Sequence, residues 1–216
     1  MISHRYIYPL KEKGMPNSAG NKGIFLSKLM KLGVHIPQTY VCDSKAYFHY
    51  LDNDPNLQTD LAHEIRDVIQ PSTNYAIRSS ANVEDGLDHS YAGQFETILD
   101  VEGINPILSA IETVWSSAKS SIVESYIKQQ KIQNHKLSMA VLIQEMVQAQ
   151  YSGVALSKNP VTGADEIVIE AVSGAGSQLM QHGITPYRWI NKMGCWIVEE
   201  ENALIPLNII QSVADQ

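Results

Sequence analysis

The chain has 216 residues, 44% of them hydrophobic, and a formal net charge of −7, which is enough to build one large cored domain or two small ones. The acidic balance argues against a general nucleic-acid binder, which needs a basic face, but leaves room for an anionic small ligand held by a few local cations. No apolar run approaches the roughly 18 residues of a membrane span, and the stretch MISHRYIYPLKEKG has no signal-peptide core, so a soluble cytoplasmic protein is expected.

The first predicted element is a helix over GNKGIFLSKLMKLG, with Phe25, Leu29 and Leu32 on one face, Leu26 and Met30 beside them, and Gly33 as its stop. VHIPQTYVCDS then reads as a short strand, with Ser44 as N-cap of a helix over KAYFHYL. A further helix is expected across LQTDLAHEIRDVI, ended by Pro71. NYAIRSS and QFETILDV read as a pair of strands. Between them lies a polar, glycine-containing loop longer than the two to five residues a hairpin needs. In NPILSAIETVWSSAKSSIVESYIKQQ, apolar Ile107, Ile111, Val114, Trp115, Ala118, Ile122 and Tyr126 recur at helical spacing and predict a core-packing face.

From Leu137 the texture turns to strands. LSMAVLIQEMV is nearly continuous apolar, as a strand buried on both faces would be. SGVALS and EIVIEAV follow, joined by KNPVTGAD with its Asn-Pro and Thr-Gly turn signals, and YRWINKMGCWIV reads as a hairpin turning at Met193-Gly194. The expected class is α+β, with a mixed lobe over residues 1–146 and a strand-rich lobe over 147–216.

Two cations stand out. Lys22 sits at a helix start, where a lysine is unfavourable by about 0.3–1 kcal/mol unless an anion shares the site. GMPNSAGNKG nevertheless fails the P-loop pattern: Asn21 separates glycine from lysine, and Gly23 replaces the hydroxyl residue. A plain surface lysine is the competing reading. Arg78 closes an apolar strand beside Ser79 and Ser80, with Gly93 further along the loop. That fork beside small donors suits phosphate oxygens, and so does the alternative of Arg78 pinning the loop by pairing with Glu84, Asp85 or Asp88. Cys42 and Cys195 show no metal-ligand spacing or disulfide framework, and the seven histidines form no HxH or HxxxH pair.

AIRSSANVED followed by SYAGQFET resembles the signature of the pyruvate/phosphoenolpyruvate-binding, ATP-grasp domain of phosphoenolpyruvate synthase and pyruvate phosphate dikinase. GNKGIFLSKLMKLGVHIP, VLIQEMVQAQYSGVALSKNPVTG and IVIEAVSGAGSQLMQHGITP resemble three further blocks of that family in the same order. The resemblance implies an ATP-grasp-like fold of two lobes with the nucleotide between them, and ATP and Mg2+ as cofactors. It further implies that Lys22 and Arg78 bind the phosphates and act in catalysis, with Ser79, Gly93 and Thr97 lining a phosphate loop over 78–97. Gln144, Glu145, Met146 and Val147 would be the hinge that receives the adenine. There a strand leaving its sheet offers backbone groups to the base edge, with Met146 against the ring.

The pattern also departs from the family. GAGS has Ser177 where an acidic residue is usual, so the metal ligands stay unassigned. The family's later glutamate and QxR strand correspond only loosely to Glu199 and Gln211, with Val213 at the arginine position and Pro206 interrupting the strand. The second lobe is therefore expected to be incomplete. A phosphohistidine domain and an acceptor-binding domain are expected partners, in the same longer chain or on a separate subunit, with no nucleic acid and no membrane. The expected activity is ATP-dependent phosphotransfer to a histidine and then to pyruvate or another small molecule, weak or absent in the isolated chain. The alternative is a non-catalytic nucleotide-sensing module.

Overall fold

The computed structural model describes residues 5–11, 17–82, 95–119, 137–176, 185–199 and 204–215. The chain divides into two compact units, Met1–Met146 and Val147–Gln216. Its class is α+β, with one sheet in each unit.

The first unit contains β1 (Ile7–Pro9), a 3-10 turn (Asn17–Ala19), α1 (Gly20–Lys31), β2 (Thr39–Cys42), α2 (Ser44–Leu51) and α3 (Leu57–Val68). β3 (Tyr75–Ala81), β4 (Thr97–Val101), α4 (Ile104–Ser117) and β5 (Met139–Glu145) complete it. The strand order is β1-β2-β5-β3-β4, antiparallel throughout. β5 is central, and its burial on both faces follows from side chains that alternate across the sheet. Val141 and Ile143 join the large core with α2, α3 and α4, including Leu61, Ile65, Ile107, Ile111 and Trp115. Ala140 and Leu142 join Leu10, Ala19 and Val41 beneath α1.

The apolar spacing of α4 holds as far as it can be followed: Ile107, Ile111, Val114, Trp115 and Ala118 are buried, while Ile122 and Tyr126 lie outside the described residues. The helix after β2 is capped by Asp43 rather than by Ser44, which is its first residue. Asp43 Oδ1 accepts the Lys45 N–H at 3.1 Å, and Ser18 Oγ donates to Asp43 Oδ2.

The face of α1 that carries Phe25, Leu29 and Leu32 is not the one that packs on the sheet. Phe25, Leu29 and Leu32 are exposed, Leu32 at 80%. Gly20, Gly23 and Ser27 are the buried positions, and Ile24, Leu26 and Met30 pack on the smaller core. Backbone proximity decides this: a Cβ on Gly20 would fall 1.8 Å from the Ser80 carbonyl oxygen, so only glycine lets the helix start lie against β3. Gly33 does end the helix. It adopts φ +89°, and Gly33 N–H and Val34 N–H close onto the Met30 and Leu29 carbonyls in a Schellman motif.

The second unit is a meander of β6 (Tyr151–Leu156), β7 (Ile167–Ser173), β8 (Tyr187–Lys192) and β9 (Cys195–Val198). α5 (Leu207–Ala214) contributes Ile210 to a core with Ile169, Ala171, Trp189 and Ile205. Met193 and Gly194 turn the β8–β9 hairpin at φ 51° and 86°, the left-handed pair that matches strand twist in two-residue turns.

Candidate functional site

β3 is the organising element. Its register sets Arg78 opposite Thr97 on β4 and opposite Leu142 on β5, so Arg78 and Thr97 share one face of the sheet. Arg78 is half-buried and Thr97 exposed. The guanidinium donates from Nη1 to Gln144 Oε1 at 3.1 Å. Among the described residues this neutral amide is its hydrogen-bond partner, and no carboxylate there pairs with it. Glu84, Asp85 and Asp88, the alternative partners, lie outside the described residues, as does Gly93.

α1 brings Lys22 to the neighbouring residue. Lys22 Nζ lies 3.3 Å from the Ser79 carbonyl oxygen and 3.4 Å from its hydroxyl. Ser79 is 1% exposed, so its hydroxyl serves the lysine from within the fold. Ser80 is not an open donor either. Its buried hydroxyl accepts the Gly23 N–H at 3.0 Å and donates to the Ala19 carbonyl at 2.8 Å, joining α1 to β3. Asn21 Nδ2 adds a bond to the Asn82 carbonyl. Two cations thus reach adjacent positions of one strand, on a helix and a sheet fastened together by buried hydrogen bonds.

Around the end of β5, the Glu145 N–H donates to Gln38 O and the Met146 N–H to Asn74 O, each at 2.8 Å. Those two amides are engaged within the first unit, and Val147 is 61% exposed. The Gln144 side chain turns back into the sheet rather than outward: Nε2 donates to Thr39 Oγ1 at 2.9 Å, and Thr39 Oγ1 donates to Pro37 O at 2.7 Å. Thr39 carried no motif in the sequence. It meets Gln144 only through the pairing of β2 with β5.

Two other features fall away as anion sites. A groove of about 600 Å³ runs along β4 and α4, but it is lined by Leu99, Asp100, Glu102, Pro106 and their neighbours and contains neither Lys22 nor Arg78. In the second unit Arg188 is paired with Glu170 and Glu199, and those carboxylates hold its pKa above the ordinary guanidinium value. Glu199 is thereby engaged, and Gln211 and Val213 lie on α5, so the stretch aligned with the QxR strand is helical. Among the described residues no group of three or more His, Cys, Asp and Glu side chains is placed to hold a metal ion. No helix among them is long and apolar enough to cross a membrane.

Comparison with known proteins agrees with the motif reading. Residues 54–203 match the family model described as pyruvate phosphate dikinase, AMP/ATP-binding domain. The chain is 28% identical over 203 residues to the uncharacterized phosphotransferase YvkC of Bacillus subtilis, covering 85% of this chain and 24% of the relative. It is 31% identical over 155 residues to phosphoenolpyruvate synthase of Pyrococcus furiosus, covering 68% and 19%. With the corresponding enzyme of Aeropyrum pernix it shares 40% over 116 residues, covering 53% and 14%. The chain therefore spans a quarter or less of the length of these relatives. With ordered motifs and family model in accord, the chain belongs to the pyruvate phosphate dikinase AMP/ATP-binding domain family.

Proposed function

We propose that the chain is the nucleotide-binding part of a phosphoenolpyruvate-synthase-like phosphotransferase, built as an ATP-grasp-like domain. ATP is held by its phosphates against Lys22, Arg78 and Thr97, with Ser79 supporting Lys22, Gly93 lining the loop and the segment from Gln144 to Val147 receiving the adenine. The observation that carries this reading is the delivery of Lys22 to Ser79, one residue from an Arg78 whose partner among the described residues is a neutral amide. A carboxylate beside Arg78 would consume its charge; an amide orients the fork and leaves that charge for an anion. Phosphoryl transfer depends chiefly on such positioning and charge neutralisation. Phosphate would pass from ATP to a histidine on another domain, and from there to pyruvate or another small molecule.

The second reading, a nucleotide sensor without phosphotransfer, rests on the sequence departures at Ser177 and Val213.

Calorimetric titration with ATP tests the binding site. Saturable binding that Arg78→Ala weakens by about tenfold or more is expected, because a charged hydrogen bond contributes about 1.5–3 kcal/mol. Equal binding by wild type and Arg78→Ala would refute the assignment. Exchange of labelled phosphate with a histidine-domain protein then separates the transferase from the sensor.

A further inference from the structure

Arg78, Gln144 and Thr39 come from three different strands, β3, β5 and β2, and form one continuous hydrogen-bonded chain. Arg78 Nη1 donates to Gln144 Oε1 at 3.1 Å, Gln144 Nε2 donates to Thr39 Oγ1 at 2.9 Å, and Thr39 Oγ1 donates to Pro37 O at 2.7 Å. The chain has a single direction. Pro37 O can only accept, so the threonine hydroxyl gives its proton there and turns a lone pair toward the amide NH2. The amide carbonyl is then forced toward the guanidinium. Rotating the amide by half a turn would set NH2 against N–H at one end and leave carbonyl oxygen against an engaged hydroxyl at the other. Thr39 is 2% and Gln144 8% exposed, so water offers little competition, and polar groups buried this deeply are costly to leave unmatched.

We infer that Thr39 is a positioning residue for the nucleotide site, fixing through Gln144 the direction in which Arg78 presents its guanidinium to phosphate. The inference rests on the reading that Arg78 binds ATP. A threonine on β2 that does not itself bond Arg78 thereby sets the geometry of the anion-binding group, and an uncharged relay does so without consuming the arginine's charge.

The test is a double-mutant cycle on the full chain, with ATP affinity read by calorimetry and folding by urea denaturation. Thr39→Val keeps the shape and removes the hydroxyl. It is expected to weaken ATP binding by about three- to tenfold, whereas Thr39→Ser stays within about twofold of wild type. In an Arg78→Ala background, Thr39→Val should change affinity by less than about twofold, since no guanidinium remains to be aimed. An equal effect in both backgrounds, no weakening, or failure of serine to rescue overturns the inference. Unchanged binding in Arg78→Ala alone overturns instead the assignment of Arg78 on which it rests. If Thr39→Val does not fold, Gln144→Glu keeps an acceptor toward Arg78, now a carboxylate, and removes the N–H donor that Thr39 Oγ1 accepts. A loss of about tenfold or more in ATP affinity is then expected, and unchanged affinity overturns the inference.

Discussion

Lys22 Nζ stands 3.3 Å from the carbonyl oxygen of Ser79 and 3.4 Å from its hydroxyl, which ties a cation in the first turn of α1 to the strand residue beside Arg78. Position in the helix disfavours that charge by about 0.3–1 kcal/mol, while its bonds to Ser79 offset part of the cost. Lys22→Gln is therefore expected to leave unfolding free energy within about 1 kcal/mol of wild type. ATP affinity should fall by about tenfold or more. Urea denaturation and calorimetry on the same variant measure the two effects; a large stability loss with unchanged affinity would make Lys22 a structural residue.

The junction of α1 with β3 predicts an ordering of substitutions. Gly20→Ala forces a Cβ to 1.8 Å from Ser80 O at φ +70°, and should cost about 2 kcal/mol or more. At Gly23 the nearest atoms to an added Cβ are Ala19 Cβ at 3.2 Å and Leu142 Cδ2 at 3.5 Å, so alanine there should cost far less. Ser80→Ala orphans the Gly23 N–H and the Ala19 carbonyl, at about 1–3 kcal/mol. Chemical denaturation of the three variants checks the order.

Burial raises the Asp43 carboxyl above its ordinary range against the lowering effects of Lys45 and its hydrogen bonds, and burial likewise raises Glu64 despite the Ile7 and Tyr6 N–H groups that it accepts. An acid raised in the folded state binds protons more readily there than when unfolded. Its stabilising contribution is thus full below the unfolded pKa and lost as pH rises through the folded one. Asp43→Asn should gain stability relative to wild type as pH is raised from about 4 to 7, since asparagine still caps α2 and never ionises. Urea midpoints of both proteins across that range test the sign; a relative gain on acidification would contradict it.

In the second unit, Met193 holds φ 51° at the β8–β9 turn without glycine's freedom, while Asn191 Oδ1 already accepts the Gly194 N–H at 2.9 Å. Met193→Asn installs the Asn-Gly pair preferred for this turn. It should stabilise the unit by roughly 0.5–1 kcal/mol, with Gly194→Ala destabilising it. Thermal unfolding of the two variants should move in opposite directions.

How much was legible in the sequence depended on whether a feature is local. The Met193-Gly194 turn, the Gly33 stop and the central β5 are written in dihedral preference and composition, and all three appear. The α2 cap shifted by one residue because Asp43 and Ser44 are both good caps and local pattern does not choose between them. Which face of α1 is buried was not legible, because Phe25, Leu29 and Leu32 share a helical face, yet burial follows the approach of Gly20 and Gly23 to the sheet. Lys28 Nζ lies over the Phe25 ring at 5.2 Å, one way an exposed aromatic is accommodated. Thr39 was invisible because its meeting with Gln144, 105 residues away, exists only once strand register is set.

The order β1-β2-β5-β3-β4 has a consequence for synthesis on the ribosome. The first four strands form two separate wings, β1 with β2 and β3 with β4, and each shows a bare hydrogen-bonding rim until β5 slides between them. A nascent polypeptide paused before Met139 would thus carry two sticky borders facing a missing partner, the arrangement most prone to misassociation. Emergence of seven residues, Met139–Glu145, closes both at once.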